Sequence, residues 1–178
     1  MRLFIAIPLP ESVKEHLSHL EQPNEGIKWQ DGQYHLTLKF LGETDEGKAV
    51  EVQEKLTKID FPAFRMSLNG FGYFPQGRQP KVLWVGIEKN KKLVELQKKI
   101  EAICCSLGFE PENRPFKPHI TLARMKGVAK RDVMSFINQH KQFRIPEVPI
   151  NEFVLYESKL RSDGALHIRL KTFSLKVS

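Results

Sequence analysis

Cysteine is nearly absent from this sequence: Cys104 and Cys105 are the only two, and they are neighbours. Adjacent cysteines in a helical pattern suit neither a disulfide framework nor a zinc site, so the composition reads as that of a protein from a reducing compartment, the cytoplasm. Long apolar runs are missing as well. The best of them, Leu3 to Leu9, is interrupted by Pro8 and followed by Pro10 and Glu11. It is too short for a membrane span or for the apolar stretch of a signal peptide, and no membrane partner or targeting segment is expected. There is no low-complexity tract and no long linker. Nor is there a Gly-rich phosphate loop, a nucleophile elbow or a Cys–His pairing, so the best-known motifs for phosphate cradling, serine nucleophiles and thiol catalysis are not available.

What remains is a chain of 178 residues, 40% hydrophobic and 28% charged, with a mean hydropathy of −0.38. That length and balance predict one globular domain, residues 1–178, with a single core. Lys and Arg total 28 against 21 Asp and Glu, a net charge of +7 with a pI near 9.4. A basic surface draws polyanions by long-range attraction, which makes nucleic acid the first partner to consider, beside the plainer reading of a basic soluble domain.

The pattern of elements alternates. Arg2 to Ile7 reads as a buried strand, and Val13, Leu17 and Leu20 then recur at helical spacing. Tyr34 to Leu41 reads as a strand ended by Gly42, followed by a less regular helix with Val50, Val52, Leu56 and Ile59. Phe64, Met66 and Leu68 alternate, and Gly70-Phe-Gly-Tyr-Phe-Pro leads through an exposed connection into Val82 to Ile87, which predicts two strands. The clearest helix carries Leu93, Leu96, Ile100, Ile103, Cys104 and Leu107, with Gly108 at the C-cap. A proline-bearing loop, Pro111 to Pro118, feeds the strand His119 to Ala123. A short helix follows around Arg131 to Gln139, and strands at Glu152–Leu160 and Leu166–Lys176 close the chain, the last with one bulge.

One pattern occurs twice. His35-Leu-Thr-Leu and His119-Ile-Thr-Leu stand 84 positions apart, each in a short β-like run and each after a polar loop. With six histidines and five threonines available, two such pairs arise by chance about once in a hundred such sequences. Residues two apart on a strand point to the same face, so each His projects with its Thr while the Leu or Ile between them enters the core. Two imidazoles and two hydroxyls in one cleft are the equipment for displacement at phosphorus. One imidazole can act as general base and the other as general acid, and the threonines can donate hydrogen bonds to the non-bridging oxygens. A single histidine on a strand is ordinarily structural; the matched pair is read as functional. Two histidines without a carboxylate or cysteine set fall short of the usual three or four ligands, so no metal and no cofactor is expected.

Together with their surroundings, these motifs resemble the 2H phosphoesterases, and within them the bacterial RNA 2',3'-cyclic phosphodiesterases formerly called 2'-5' RNA ligases. The similarity spans nearly the whole chain. It rests on Arg2-Leu-Phe-Ile-Ala-Ile, Trp29 ahead of His35-Leu-Thr-Leu-Lys-Phe-Leu-Gly, Gly70 to Pro75 with Val82-Leu-Trp, Arg114-Pro-Phe-Lys-Pro-His-Ile-Thr-Leu-Ala-Arg, and the late Leu155-Tyr-Glu-Ser and Phe173 segments. The resemblance implies an α+β, bilobal fold in which two pseudo-symmetric antiparallel sheets face a central basic cleft with helices outside. It implies that water attacks a terminal 2',3'-cyclic phosphate, with His119 as proton acceptor and His35 as proton donor, leaving a 2'-phosphomonoester. Thr37 and Thr121 would hold the phosphate. The partner implied is RNA with a 2',3'-cyclic phosphate end, or a small cyclic nucleotide, bound by a monomer. The same site could carry out 2'-5' ligation or cleave 2'-5' oligonucleotides, and a non-catalytic RNA-binding module is the rival from another class.

Five residues past each histidine stand Phe40 and Arg124, positions that in the family lie near the base and the phosphate. Arg124 is read as phosphate-binding, because a guanidinium matches phosphate geometry, and Phe40 as a base-stacking candidate. Strict alternation nevertheless puts both on the face opposite the histidines. The same alternation gives Lys39 to the His35 face, where a solvated lysine is expected. Phe71, Tyr73 and Phe74, with Arg78 and Lys81 close by, could stack on bases or simply pack a hairpin. Lys89, Lys91, Lys92, Lys98 and Lys99 read as a solvated face, and His16, His19, His140 and His167, lacking a Thr partner, are assigned no chemistry.

Overall fold

The structure, a computed structural model, describes residues 1–22, 24–30 and 32–177. The strands are β1 (Arg2–Pro8), β2 (Ile27–Trp29), β3 (His35–Glu43), β4 (Phe64–Gln76), β5 (Gln79–Ile87), β6 (His119–Met125), β7 (Arg144–Ile150), β8 (Glu152–Arg161) and β9 (Gly164–Ser174). The helices are α1 (Glu11–Ser18), α2 (Glu46–Thr57), α3 (Lys91–Ser106) and α4 (Lys130–Gln139). The strands run β7-β4-β5-β6-β3-β1-β8-β9, with β2 pairing beside β3 along the edge of β6 opposite β5, and the pairs between these strands are antiparallel.

Two lobes are visible in this order. Within one continuous sheet, one is β3-β1-β8-β9 and the other β6-β5-β4-β7, and among the described residues a single pair, Leu36 with Ile120, joins them. Each lobe takes its innermost strand from one His-x-Thr motif and receives a hairpin strand from the other half of the chain. Leu36 and Ile120 are fully buried, and the main core cluster runs through both lobes and the helices that cover this face. Truncating either residue to alanine would cost about 2–5 kcal/mol. β1 is buried on both sides: Leu3, Ile5 and Ile7 face the helices, while Phe4 and Ala6 join Val154 and Tyr156 in a second, smaller cluster on the opposite face.

The helices follow their apolar spacing. α3 buries Leu93, Leu96, Ile100 and Cys104. It ends as expected, with Gly108 at φ +96° and bonds from the Gly108 and Phe109 amides back to the Cys105 and Cys104 carbonyls, a Schellman arrangement. α2 buries Ala49, Val52 and Leu56 and leaves Val50 exposed, which explains the irregular face in its sequence.

Three departures from the sequence reading have local causes. Gly42 does not end β3; at φ +72° it stands at a register shift against β1, and the strand continues to Glu43. The glycine-rich stretch lies inside one long strand, β4, whose Gly72 faces the Trp84 indole so closely that a Cβ would come within 2.3 Å of it. Apolar alternation predicts neither β7 nor β2. β7 is an edge strand carrying Pro146 and Pro149, which erase its signal, and β2 has only three residues.

Candidate active site

Both motifs are built the same way. From His35 to Phe40, and again from His119 to Arg124, the residues run half-buried, buried, half-buried, buried, buried, exposed. The repeat has a single cause, a β-bulge after each threonine. Thr37 and Phe40 pair with Ala6 and Phe4, which are two apart on β1, and Thr121 and Arg124 pair with Trp84 and Val82, two apart on β5. One extra residue on the motif strand therefore restores the face, and Phe40 and Arg124 lie on the same side as the histidines. This corrects the strict-alternation expectation for both. It also corrects the expectation for Lys39, which the bulge turns to the helix side. Lys39 is 4% exposed, and its Nζ donates to Glu101 Oε1 at 2.9 Å and to the Glu110 carbonyl at 2.7 Å.

The two imidazoles are anchored alike. His35 Nδ1 donates to the Gln33 carbonyl at 3.1 Å and His119 Nδ1 to the Lys117 carbonyl at 2.7 Å, in each case the residue two before the histidine. A carbonyl only accepts, so each neutral ring carries its proton on Nδ1 and presents a basic Nε2. Neither threonine hydroxyl has a hydrogen-bond partner among the described residues, which leaves Thr37 and Thr121 free to donate to a ligand. Among the described residues no group of three or more His, Cys, Asp or Glu side chains is placed to hold a metal ion.

The surroundings of the two rings differ. His119 packs edge-on against Phe74 at 4.9 Å and near Trp84 at 6.2 Å, and the Lys117 ammonium lies over both aromatic rings at 5.3 and 5.2 Å. Phe74 thus packs against a proposed acid–base residue, whereas Phe71 joins Phe136, His140 and Phe143 in a separate aromatic cluster. Burial lowers the pKa of His119, the charge of Lys117 adds to that, and the hydrogen bond to the Lys117 carbonyl opposes it. His35 lies deeper, against Phe4 at 5.1 Å and edge-on to His167 at 5.0 Å. Burial pushes its pKa from 6.5 down to about 4, helped by the charges of His167, His119 and Lys14 and opposed by the bond to the Gln33 carbonyl.

His167, which no sequence pattern places near either motif, stands against His35. The β8–β9 hairpin brings its His167 ring against His35, and Gln33 clasps it: its Nε2 donates to the Ala165 carbonyl at 3.0 Å and its Oε1 accepts from the His167 amide at 3.1 Å. Gln33 thereby links the carbonyl that orients His35 to the strand that carries His167. The Gln33-x-His35 spacing, matched by Lys117-x-His119, was in the sequence; the His167 contact, spanning more than 130 residues, had no local signal. Replacing His167 with Gln is expected to raise the pKa of His35, since it removes a neighbouring positive charge and admits water. Imidazole titration by NMR checks this, and an unchanged His35 midpoint contradicts it.

One face of the sheet, on which each half of the chain sets one histidine, one threonine and one bulge, has the duplicated layout that a two-histidine phosphoesterase would need. Comparison with known proteins agrees. The family model described as LigT-like phosphoesterase matches twice, at residues 7–84 and 85–167, and the chain belongs to that family. A protein of Thermotoga maritima named RNA 2',3'-cyclic phosphodiesterase is 35% identical, over 94% of this chain and 91% of its own. One of the same name from Aeropyrum pernix is 32% identical, over 87% and 88%. Among solved structures, TT0787 of Thermus thermophilus superposes with a TM-score of 0.82 at 30% identity, covering 98% of both chains. LigT of Escherichia coli complexed with 3'-AMP superposes with a TM-score of 0.77 at 28% identity, over 98% of this chain and 97% of that one. Among the described residues no helix is long and apolar enough to cross a membrane.

Proposed function

We propose that this protein is an RNA 2',3'-cyclic phosphodiesterase that opens a terminal cyclic phosphate to a 2'-phosphomonoester. The observation that carries the reading is the duplicated constellation: His35, Thr37 and Phe40 against His119, Thr121 and Arg124, all on one face. His119 Nε2 takes a proton from the attacking water, and protonated His35 gives its Nε2 proton to the departing 3' oxygen. Thr37, Thr121 and Arg124 hold the phosphoryl oxygens, where charge accumulates. Phe40, 69% exposed and 6.2 Å from the Phe4 ring, offers a face for the terminal base. The pair supplies acid and base from the chain's own side chains, every group named comes from one chain, and residues 1–178 act as one bilobal unit in a monomer. The scarcity of cysteine supports a cytoplasmic setting.

The unequal environments favour this division of roles. The more strongly depressed His35 is, once protonated, the stronger acid and suits the donor, while the less buried His119 is the better placed base. The cyclic phosphate is itself an anion and favours the protonated ring when it binds. Because both rings are depressed in the free protein, kcat/KM is expected to peak on the acid side of 6.5 and to fall as the pH rises through neutrality. The kcat profile, which reports the bound state, should lie at higher pH. A kcat/KM profile with both limbs above pH 7 contradicts this.

The function itself is tested with an end-labelled oligoribonucleotide bearing a 2',3'-cyclic phosphate. A cyclic diester resists phosphomonoesterase, so treatment with the protein should make the terminal phosphate removable. Continued resistance would overturn the reading.

A further inference from the structure

On the His119 face of its lobe, β2 adds a cation that the motifs do not include. Lys28 is the cross-strand partner of Arg124, so the two side chains emerge side by side. Arg124 shares its face with Thr121, because their partners Val82 and Trp84 are two apart on β5. Both Lys28 and Arg124 are exposed, and neither has a carboxylate partner among the described residues. Like charges directly opposite on a sheet repel and destabilise the pair. An anion between or beyond them removes that cost.

The other lobe closes over the same spot. The turn of the β8–β9 hairpin brings Gly164 to Lys28 so closely that a Cβ there would lie 2.8 Å from the lysine Nζ. Gly164 stands at φ +127°, a conformation that L side chains rarely adopt, so the absence of a side chain serves both the turn and the lysine. The same hairpin carries His167, which touches His35. Lys28 therefore sits where the arm of one lobe meets the edge of the other, about one strand spacing, ~4.8 Å, beyond Arg124.

We propose that Lys28 forms a second anion subsite, which holds the internucleotide phosphate next to the terminal cyclic phosphate and so makes the enzyme prefer an oligonucleotide end to a cyclic mononucleotide. This rests on the reading that the His35–His119 centre takes an RNA 2',3'-cyclic phosphate. Arg124 serves the reacting phosphate, while Lys28, further out on a flexible stem, meets the next phosphate as a point charge. A cyclic mononucleotide has no phosphate to offer it.

The test compares uridine 2',3'-cyclic phosphate with the dinucleotide UpU ending in a 2',3'-cyclic phosphate, in the wild type, Lys28→Met and Lys28→Arg. Methionine keeps much of the lysine stem without its charge. The ratio of kcat/KM for the dinucleotide to that for the mononucleotide is expected to fall about tenfold in Lys28→Met and to return in Lys28→Arg. A ratio unchanged in Lys28→Met, whether both rates fall together or neither falls, overturns the subsite. If the wild type turned over neither substrate, the proposed function would fail separately. Binding of an oligoribonucleotide ending in a 2'-phosphate still decides the subsite: the slope of log affinity against log salt should shrink by about 0.7 in Lys28→Met. An unchanged slope overturns it.

Discussion

Alanine at His35 or at His119 is expected to lower turnover of an RNA cyclic phosphate end by two to four orders of magnitude, about what a general acid or base contributes. In the proposed mechanism the two rings act in one step, so the double variant should be little slower than either single one rather than slower by the product of the two losses. Each imidazole makes one hydrogen bond to a nearby carbonyl, but His35 also packs against Phe4, Tyr156 and His167, so the fold of each variant is checked beside its rate. Circular dichroism and thermal melts of the variants should match the wild type closely while single-turnover rates collapse. Near-normal rates in either single variant would defeat the acid–base pair.

The second large effect is on stability. Removing the Glu101 carboxylate by Glu101→Ala strands the Lys39 ammonium in the core, and breaking a buried pair from one side costs about 3 kcal/mol or more. Glu101 Oε1 also accepts from the Glu112 amide at 3.1 Å and from Cys105 Sγ at 3.3 Å. Burial alone would raise the Glu101 pKa, but these bonds and the Lys39 charge hold it below the usual carboxylate range. The ion pair ties the β3 bulge to α3, and the bulge is what turns Phe40 outward. Lys39→Met with Glu101→Leu, which removes both charges, should recover most of the loss. Urea denaturation measures both. A Glu101→Ala variant within about 0.5 kcal/mol of the wild type, the range of an ordinary surface change, would mean that the pair does not hold this junction.

What could be read in the sequence divides along local and non-local lines. α3 was legible because Leu93, Leu96, Ile100 and Cys104 repeat at the helical period and Gly108 caps them. The His-x-Thr pairs were legible because the strand period of two puts both side chains on one face. The same period misplaced Lys39, Phe40 and Arg124, since a bulge adds a residue without any mark that alternation can detect. Two copies of the bulge were nevertheless implicit in the repeat. If the two halves are alike, Phe40 and Arg124 must share one environment, and Lys39 and Ala123 another. Lys39 still looked solvent-bound, because its partner Glu101 lies 62 positions away on another element. His167 and Lys28 were illegible for the same reason. His167 meets His35 only when the β8–β9 hairpin folds back, and Lys28 meets Arg124 only when the three-residue β2 pairs with β6.

Phosphorus NMR of an oligoribonucleotide with a 2',3'-cyclic phosphate end, incubated with the protein in excess EDTA, tests the central claim most directly. The cyclic phosphate resonance should give way to that of a 2'-phosphomonoester at an undiminished rate, and the variant with alanine at both His35 and His119 should leave it unchanged. Loss of turnover in EDTA, a 3'-phosphate product, or conversion by the doubly substituted protein would contradict the two-histidine mechanism.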